Sequence, residues 1–144
     1  MARRVGREQM QAYVDKMEYG NRDISGKIDS FWLDGGLRIS ADEQIVFLRK
    51  LILNQLPFSD KDMELVREML ILDETEEYIL HAKTGWALRT ETQIGWWVGW
   101  IEKDGHNYIF TTDFESPEPI GVNGPAREEI TRAILIELGI LPSP

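Results

Sequence analysis

Hydrophobic residues recur with two different periods in the two halves of the chain. In the first half they lie three and four positions apart, as at Met10, Tyr13, Val14 and Met17, which indicates amphipathic helices. Beyond about residue 77 the period falls to two, which is typical of strands. The pattern therefore predicts helices, then an antiparallel meander, then a closing helix, which is an α+β arrangement.

Capping residues divide the helical half into three helices. The first runs from the start of the chain to about Lys16 and ends at Tyr19-Gly20-Asn21, since Gly and Asn are common after helix ends. A capping box at 40–43 begins the second helix, which Pro57 stops, and Ser59 caps the third. A glycine-containing loop, 21–39, separates the first two helices, and its aromatic residues favour a packed, functional loop. The predicted apolar face of the third helix consists of Met63, Val66, Met69 and Leu70.

The second half predicts three strands, at about 77–84, 93–103 and 107–114. Asp104-Gly105 is a favourable hairpin turn between the last two strands. A final helix begins at Pro125 and ends before Gly139. We assign the three tryptophans of the middle strand to core packing, with Trp96 and Trp100 on one face and Trp97 on the other.

Composition narrows the classes of function. The 144 residues carry a net charge of -9, so no basic stripe exists to bind nucleic acid. The chain has no cysteine, which excludes disulfides and thiol catalysis, and no membrane segment or signal peptide is predicted. His81 and His106 lack partners at ligand spacing, so no metal site is predicted.

Four motifs occur in a fixed order: Tyr19-Gly20-Asn21, Phe31-Trp32-Leu33, Lys83-Thr84-Gly85-Trp86 and Trp96-Trp97-Val98-Gly99-Trp100. Together they resemble the C-terminal half of a class D (oxacillinase-type) serine β-lactamase, in the superfamily of serine β-lactamases and penicillin-binding proteins. Class A enzymes fit less well, because they need a Ser-Asp-Asn motif and a loop glutamate. The resemblance covers essentially all of 1–144 and implies a partial serine β-lactamase/transpeptidase-like fold.

The resemblance implies a substrate-binding role for Lys83, Thr84, Gly85 and Arg127. Lys83 and Thr84 would contact the carboxylate of the ligand, Gly85 would allow close approach, and Arg127 would bind the carboxylate bidentately. The backbone N–H of Trp86 would donate to the oxyanion hole. The alternatives are a Lys-Thr-Gly that only ends an edge strand, a Trp86 that only covers strand edges, and a solvated Arg127 paired with Glu128 or another acid.

Other roles implied by the resemblance concern the first half of the chain. Trp32 resembles the tryptophan whose indole N–H binds a carboxylated lysine, the general base of the family, and Leu33 would keep that base dry. The alternative is that Trp32 is a core aromatic under a loop. Tyr19 and Asn21 would line the site, or would form only a helix-terminating turn.

Two motifs of the family do not occur in the chain: the Ser-x-x-Lys nucleophile motif and Ser-x-Val. We therefore expect an N-terminally truncated chain with no catalytic residue of its own, no cofactor and no β-lactam turnover when alone. The family implies β-lactam ligands and a periplasmic or secreted location. The missing segment would leave strand 107–114 as an exposed edge, open to a second copy or to an N-terminal fragment.

Two rival functions stay open from the sequence. A β-lactam-sensing receptor domain shares this fold and motif set, and it is acylated without efficient release. A decayed gene product without activity, stable only as an assembly, is the other alternative.

Overall fold

The computed structural model describes residues 1–33, 36–87, 92–116 and 124–143. They divide into two compact units, Met1–Met63 and Glu64–Pro144, and each is described by itself. The helices are α1 (Ala2–Val5), α2 (Arg7–Met17), α3 (Ala41–Ile52), α4 (Asp60–Met69) and α5 (Ala126–Glu137). The strands are β1 (Ile71–Glu74), β2 (Ile79–Ala87), β3 (Gln93–Lys103) and β4 (His106–Ser116).

The helices of the first unit follow the capping residues. The predicted N-terminal helix is confirmed but is interrupted at Gly6, whose φ of 84° separates α1 from α2. The capping box of α3 is also confirmed: Ser40 Oγ accepts the Glu43 N–H at 3.3 Å, and the Glu43 carboxylate accepts the Ser40 N–H at 2.8 Å. These bonds to Ser40 hold the pKa of Glu43 below its usual value. Ser59 Oγ accepts the Asp62 N–H at 3.2 Å, as expected of a cap.

The prediction of a three-stranded meander is wrong in strand number. The sheet has four antiparallel strands in the order β1-β2-β3-β4. The additional strand, β1, has four residues, Ile-Leu-Asp-Glu, and its register against β2 shifts at a bulge. Two apolar residues followed by two acids do not alternate, so no period-two signal marked this strand. The other three strands are confirmed: β3 has the predicted bounds, β4 is longer at both ends, and β2 begins at Ile79 and ends at Ala87 instead of running over 77–84.

The register shows which way each backbone group of the sheet points. The Ala82 N–H donates to the Leu70 carbonyl at 2.8 Å, on the β1 side of β2. Because successive residues of a strand point their N–H and C=O groups to opposite sides, even-numbered residues of β2 point toward β1 and odd-numbered ones toward β3. The same alternation directs odd-numbered residues of β4 away from β3. The two-residue turn agrees with this register, since Asp104 and Gly105 have φ of 53° and 73° as a type I′ hairpin requires.

Each face of β3 carries a fully buried tryptophan, as predicted. Trp97 packs into the cluster on the face that α5 covers. Trp100 lies on the opposite face, where its ring stacks on that of His81 with centroids 4.2 Å apart. Trp96 is only partly buried. The cluster around Trp97 contains Leu80, Ile101, Phe110, Leu135 and Leu141.

The predicted apolar face of α4 is not a core face. Met63 is buried, but Val66 and Met69 are 43% and 83% exposed and Leu70 is half-buried. Periodicity identified the helix correctly, yet burial depends on what packs against a helix, which periodicity does not specify. Among the described helices, none is long and apolar enough to cross a membrane.

We predict that Gly99→Ala weakens the sheet strongly. A Cβ at Gly99 would lie 2.0 Å from the His81 carbonyl oxygen on the neighbouring strand, so β2 and β3 would have to separate. The expected loss of unfolding free energy is about 3 kcal/mol or more, measured by urea denaturation. Gly85→Ala is the matched control, because the nearest atom that its Cβ would meet across the described sheet is the Trp96 Cβ, at an ordinary contact distance of 3.4 Å. Equal losses in the two variants would contradict the role of this close approach.

Candidate functional site

Lys83-Thr84-Gly85-Trp86 lies on a part of β2 that has one open side. Pairing with β1 extends along β2 only from Ile79 to His81, with one more backbone bond at Ala82. In the described ranges no strand pairs with β2 beyond that point on this side. By the alternation described above, Thr84 and Trp86 direct their N–H and C=O groups toward the open side. The motif therefore presents backbone donors and acceptors that a ligand can reach.

The side chains of Lys83 and Thr84 project from opposite faces of β2. Lys83 shares a face with His81, whereas Thr84 shares a face with Trp86, because side chains alternate along a strand. Both Lys83 and Thr84 are exposed. The Lys83 side chain extends to the open edge of β2, where its ammonium donates to the Thr84 carbonyl at 2.6 Å. The positive charge of Lys83 therefore lies beside the open edge of β2.

Arg127 lies in the first turn of α5, with its guanidinium 5.2 Å from the centre of the Trp86 ring. Its Nε and Nη1 atoms are buried and have no hydrogen-bond partner in the described part of the chain. Pairing with Glu128, one of the alternatives, is not observed: that carboxylate accepts from Arg132 Nε at 2.9 Å. Buried donors without acceptors are costly, so Arg127 is suited to an anionic ligand such as a carboxylate.

Tyr19-Gly20-Asn21 closes the long loop of the first unit. Gly20 has a φ of 52°, and a Cβ there would lie 2.0 Å from the Arg38 carbonyl oxygen, so only glycine fits this approach. The Asn21 side chain accepts the Arg38 N–H at 3.0 Å and donates to the Gly36 carbonyl at 2.8 Å. Asn21 therefore ties together the two ends of the loop. Its site-lining role stays a prediction.

Tyr19 packs against α3 within the same unit. Its hydroxyl donates to Gln44 Oε1 at 3.0 Å, and its ring meets Phe47 edge-on, with centroids 4.9 Å apart. Burial raises the pKa of Tyr19 above its usual value. The phenol is therefore neutral at physiological pH and acts here as a hydrogen-bond donor.

Phe31-Trp32-Leu33 places its two aromatic rings differently. Phe31 is 5% exposed and packs in a cluster with Val14 and Ile24, whereas Trp32 is 49% exposed. The alternative that Trp32 is a core aromatic is therefore wrong. Leu33 is half-buried, and its N–H donates to the Ser30 carbonyl at 2.8 Å. The implied support of a general base by Trp32 and Leu33 stays a prediction.

Sequence reasoning missed the residues that surround the Trp86 side chain. The indole N–H of Trp86 donates to Gln93 Oε1 at 2.6 Å, and Phe114 meets the ring edge-on. Neither residue belongs to a motif, and only the strand register shows that they share a face with Trp86. Within the described ranges, no group of three or more His, Cys, Asp or Glu residues is placed to hold a metal ion.

Comparison with known proteins identifies the family. Residues 1–136 match the model of the penicillin binding protein transpeptidase domain. The chain is 43% identical over 141 residues to β-lactamase OXA-48 of Klebsiella pneumoniae, and 42% identical over 144 residues to β-lactamase OXA-10 of Pseudomonas aeruginosa. The chain belongs to the class D β-lactamase family.

Solved structures agree with this assignment. The class D β-lactamase YbXI from Nostoc superposes with a TM-score of 0.92 at 39% identity, over 97% of this chain and 59% of that one. The class D β-lactamase FUS-1 (OXA-85) from Fusobacterium nucleatum subsp. polymorphum gives a TM-score of 0.91 at 40% identity, over 97% and 57%. Aligned to OXA-48 and OXA-10, the chain covers 98% of itself but only 52% and 53% of those proteins. It therefore spans about half the length of the curated relatives that it matches.

We predict that Asn21→Ala loosens the loop without unfolding the protein. The variant loses the side-chain bonds to Arg38 and Gly36, so the Arg38 N–H should exchange with solvent at least about tenfold faster, as the loss of about 1.4 kcal/mol would give. Hydrogen exchange followed by NMR measures this. Gln11→Ala is the control, because it removes exposed side-chain bonds to the Arg22 carbonyl and the Asp15 carboxylate and none to Arg38 or Gly36. Unchanged protection of Arg38 in Asn21→Ala would contradict the loop-closing role.

Proposed function

We propose that this chain supplies the substrate-binding residues of a class D β-lactam site, which we call the substrate-side wall: Lys83, Thr84, Gly85, Trp86 and Arg127. The complete family form would hydrolyse β-lactam antibiotics by acylation and deacylation of a serine. The observation that carries the proposal is an open Lys-Thr-Gly-Trp strand together with an arginine, Arg127, whose buried Nε and Nη1 have no acceptor among the described residues. The names of the relatives, which are β-lactamases, support the same substrate class.

Each group of this wall has a role in binding or orientation. Arg127 and Thr84 would hold the ligand carboxylate by charge-assisted hydrogen bonds, and the Lys83 ammonium would add a Coulomb attraction. Gly85 leaves the strand accessible, and the outward N–H of Trp86 would donate to the oxyanion that forms when the ring carbonyl is attacked. The attack itself needs a serine and a base. Because the 144 residues contain no Ser-x-x-Lys, the chain alone should form no acyl-enzyme.

The first unit would contribute the surroundings of the general base. Trp32 would offer its indole N–H to the carboxylated lysine, and Leu33 would limit access of water to it. The partial exposure of Trp32 supports this role, because its indole is not enclosed in the core. Tyr19 and Asn21 would act by holding the loop that carries Trp32.

A β-lactam-sensing receptor domain is the alternative function. The matched family model is described by penicillin binding and transpeptidation, which does not require hydrolysis. The two functions differ in how fast the acyl group leaves the serine: quick release defines the hydrolase, and slow release the sensor. The β-lactamase relatives favour the hydrolase, and with it a periplasmic or secreted protein.

The outer edge of β4 is the proposed partner surface. In the described sheet β4 pairs with β3 alone. The N–H and C=O groups that point outward belong to alternate residues, which include Ile109, Thr111 and Asp113. Such an edge can pair with a strand of a second copy or of an N-terminal fragment.

We predict that the chain binds a β-lactam carboxylate without hydrolysing the ring. Addition of benzylpenicillin should shift the amide resonances of Thr84 and Trp86 and the Nε resonance of Arg127 in ¹⁵N NMR spectra. Arg127→Gln should weaken this binding by at least about tenfold, since a charge-assisted bond contributes about 1.5–3 kcal/mol. Arg132→Gln is the matched control on the same helix, because Arg132 already pairs with Glu128.

Two results would overturn the proposal. One is the absence of any shift at Thr84, Trp86 and Arg127 under benzylpenicillin. The other is hydrolysis of a chromogenic cephalosporin by the isolated chain well above the rate in buffer, since that requires a nucleophile outside the roles assigned here.

We predict that the β4 edge makes the isolated chain self-associate. Asp113→Pro should shift the protein toward monomer in size-exclusion chromatography with light scattering, because proline removes an outward N–H without removing a bond to β3. Asp113→Ala keeps that N–H and is the control. A compact monomer that elutes identically in all three forms would exclude pairing at this edge.

A further inference from the structure

We propose that the Trp86 indole positions the Arg127 guanidinium and that Gln93 fixes the indole. Trp86 would then have two separate tasks: its backbone faces the open edge of β2, and its side chain forms a platform on the face that α5 covers. This inference rests on the proposed function, because the guanidinium that it orients is the group assigned to the ligand carboxylate.

The Trp86 ring is fixed from three directions. Its Nε1–H donates to Gln93 Oε1 at 2.6 Å. Gly95 lies directly opposite on β3, and a Cβ there would come within 2.5 Å of Trp86 Cζ3, so the ring occupies the space that a side chain would fill. Phe114 meets the ring edge-on, with centroids 5.7 Å apart and planes at 79°. These contacts restrict the orientation of the indole.

Arg127 lies over this fixed ring. The distance of 5.2 Å from Cζ to the ring centre is within the range of a cation–π contact. The backbone at Arg127 is fixed as well, since its carbonyl accepts from Thr131 Oγ1 at 2.6 Å. Thr131 Oγ1 also lies 2.6 Å from Thr112 Oγ1, which connects this turn of α5 to β4.

The Arg127 guanidinium lies over the Trp86 ring, and its buried Nε and Nη1 have no hydrogen-bond acceptor among the described residues. Arginine normally loses considerable rotamer freedom when it binds a ligand. A ring that already holds the guanidinium reduces this loss, so the site is preorganised for a carboxylate. The indole therefore determines the direction in which the donors of Arg127 point.

The test measures the orientation of Arg127 separately from ligand binding. A guanidinium above an indole has side-chain protons shifted upfield by the ring current, which ¹H–¹⁵N and ¹H–¹³C NMR detect in the protein without ligand. Trp86→Leu should abolish the upfield shift, Trp86→Phe should keep part of it, and Gln93→Leu should reduce it. Arg132 is the internal control, because it lies 5.6 Å over the Trp97 ring and should not respond.

Binding of benzylpenicillin supplies the second measurement. Trp86→Leu should lower its affinity by about 5- to 30-fold, the effect of a lost cation–π contact. Trp86→Phe should recover part of the affinity. The carboxyl methyl ester of benzylpenicillin should bind equally to all variants, because it lacks the anion that Arg127 recognises.

The outcomes separate the two proposals. Arg127 resonances that do not move in Trp86→Leu overturn the positioning role, whatever the protein binds. Normal upfield shifts together with no binding of benzylpenicillin overturn the proposed function and leave the positioning role in place. If Trp86→Leu fails to fold, as loss of the Arg132 shifts would show, Trp86→Phe and Gln93→Leu decide: unchanged Arg127 shifts in both overturn the positioning role.

Discussion

The point at which β1 stops pairing with β2 determines which backbone groups of β2 a ligand can contact. Within the described sheet, the bond from the Ala82 N–H to the Leu70 carbonyl is the last on that side of β2. Beyond it the backbone groups of Thr84 and Trp86 face outward without a strand partner in the described sheet. A longer β1 would have paired those groups and closed the edge. The short, bulged strand that escaped sequence analysis is therefore the element that leaves the motif accessible.

On its other side, β2 is held in place by close packing against β3. Gly99 lets the two strands approach at His81 and Ala82, and Gly95 gives the Trp86 ring its place. On one side, the Thr84 and Trp86 backbone groups have no strand partner in the described sheet; on the other side, the same strand packs closely against β3. Such an arrangement suits a binding site, because the groups that meet the ligand need not be ordered when it binds.

The two units divide the motifs of the family between them. The first unit holds Tyr19-Gly20-Asn21 and Phe31-Trp32-Leu33, and its hydrogen bonds show the first of these motifs closing the loop that carries the second. The second unit holds Lys83-Thr84-Gly85-Trp86 and Arg127. The chain belongs to the class D β-lactamases and spans about half the length of the curated relatives that it matches.

The sequence by itself determined the family, the α+β class, the two capped helices and the hairpin at Asp104-Gly105, because caps, turns and motifs are local and each has its own chemical signature. It did not determine β1, the exposure of Trp32, Val66 and Met69, or the contacts of Arg127. Those depend on what lies across the sheet or beside the helix, and neither periodicity nor a motif specifies that neighbour. Only the tertiary structure placed Gln93, Gly95 and Phe114 around Trp86, since the register of three strands brings them to one face.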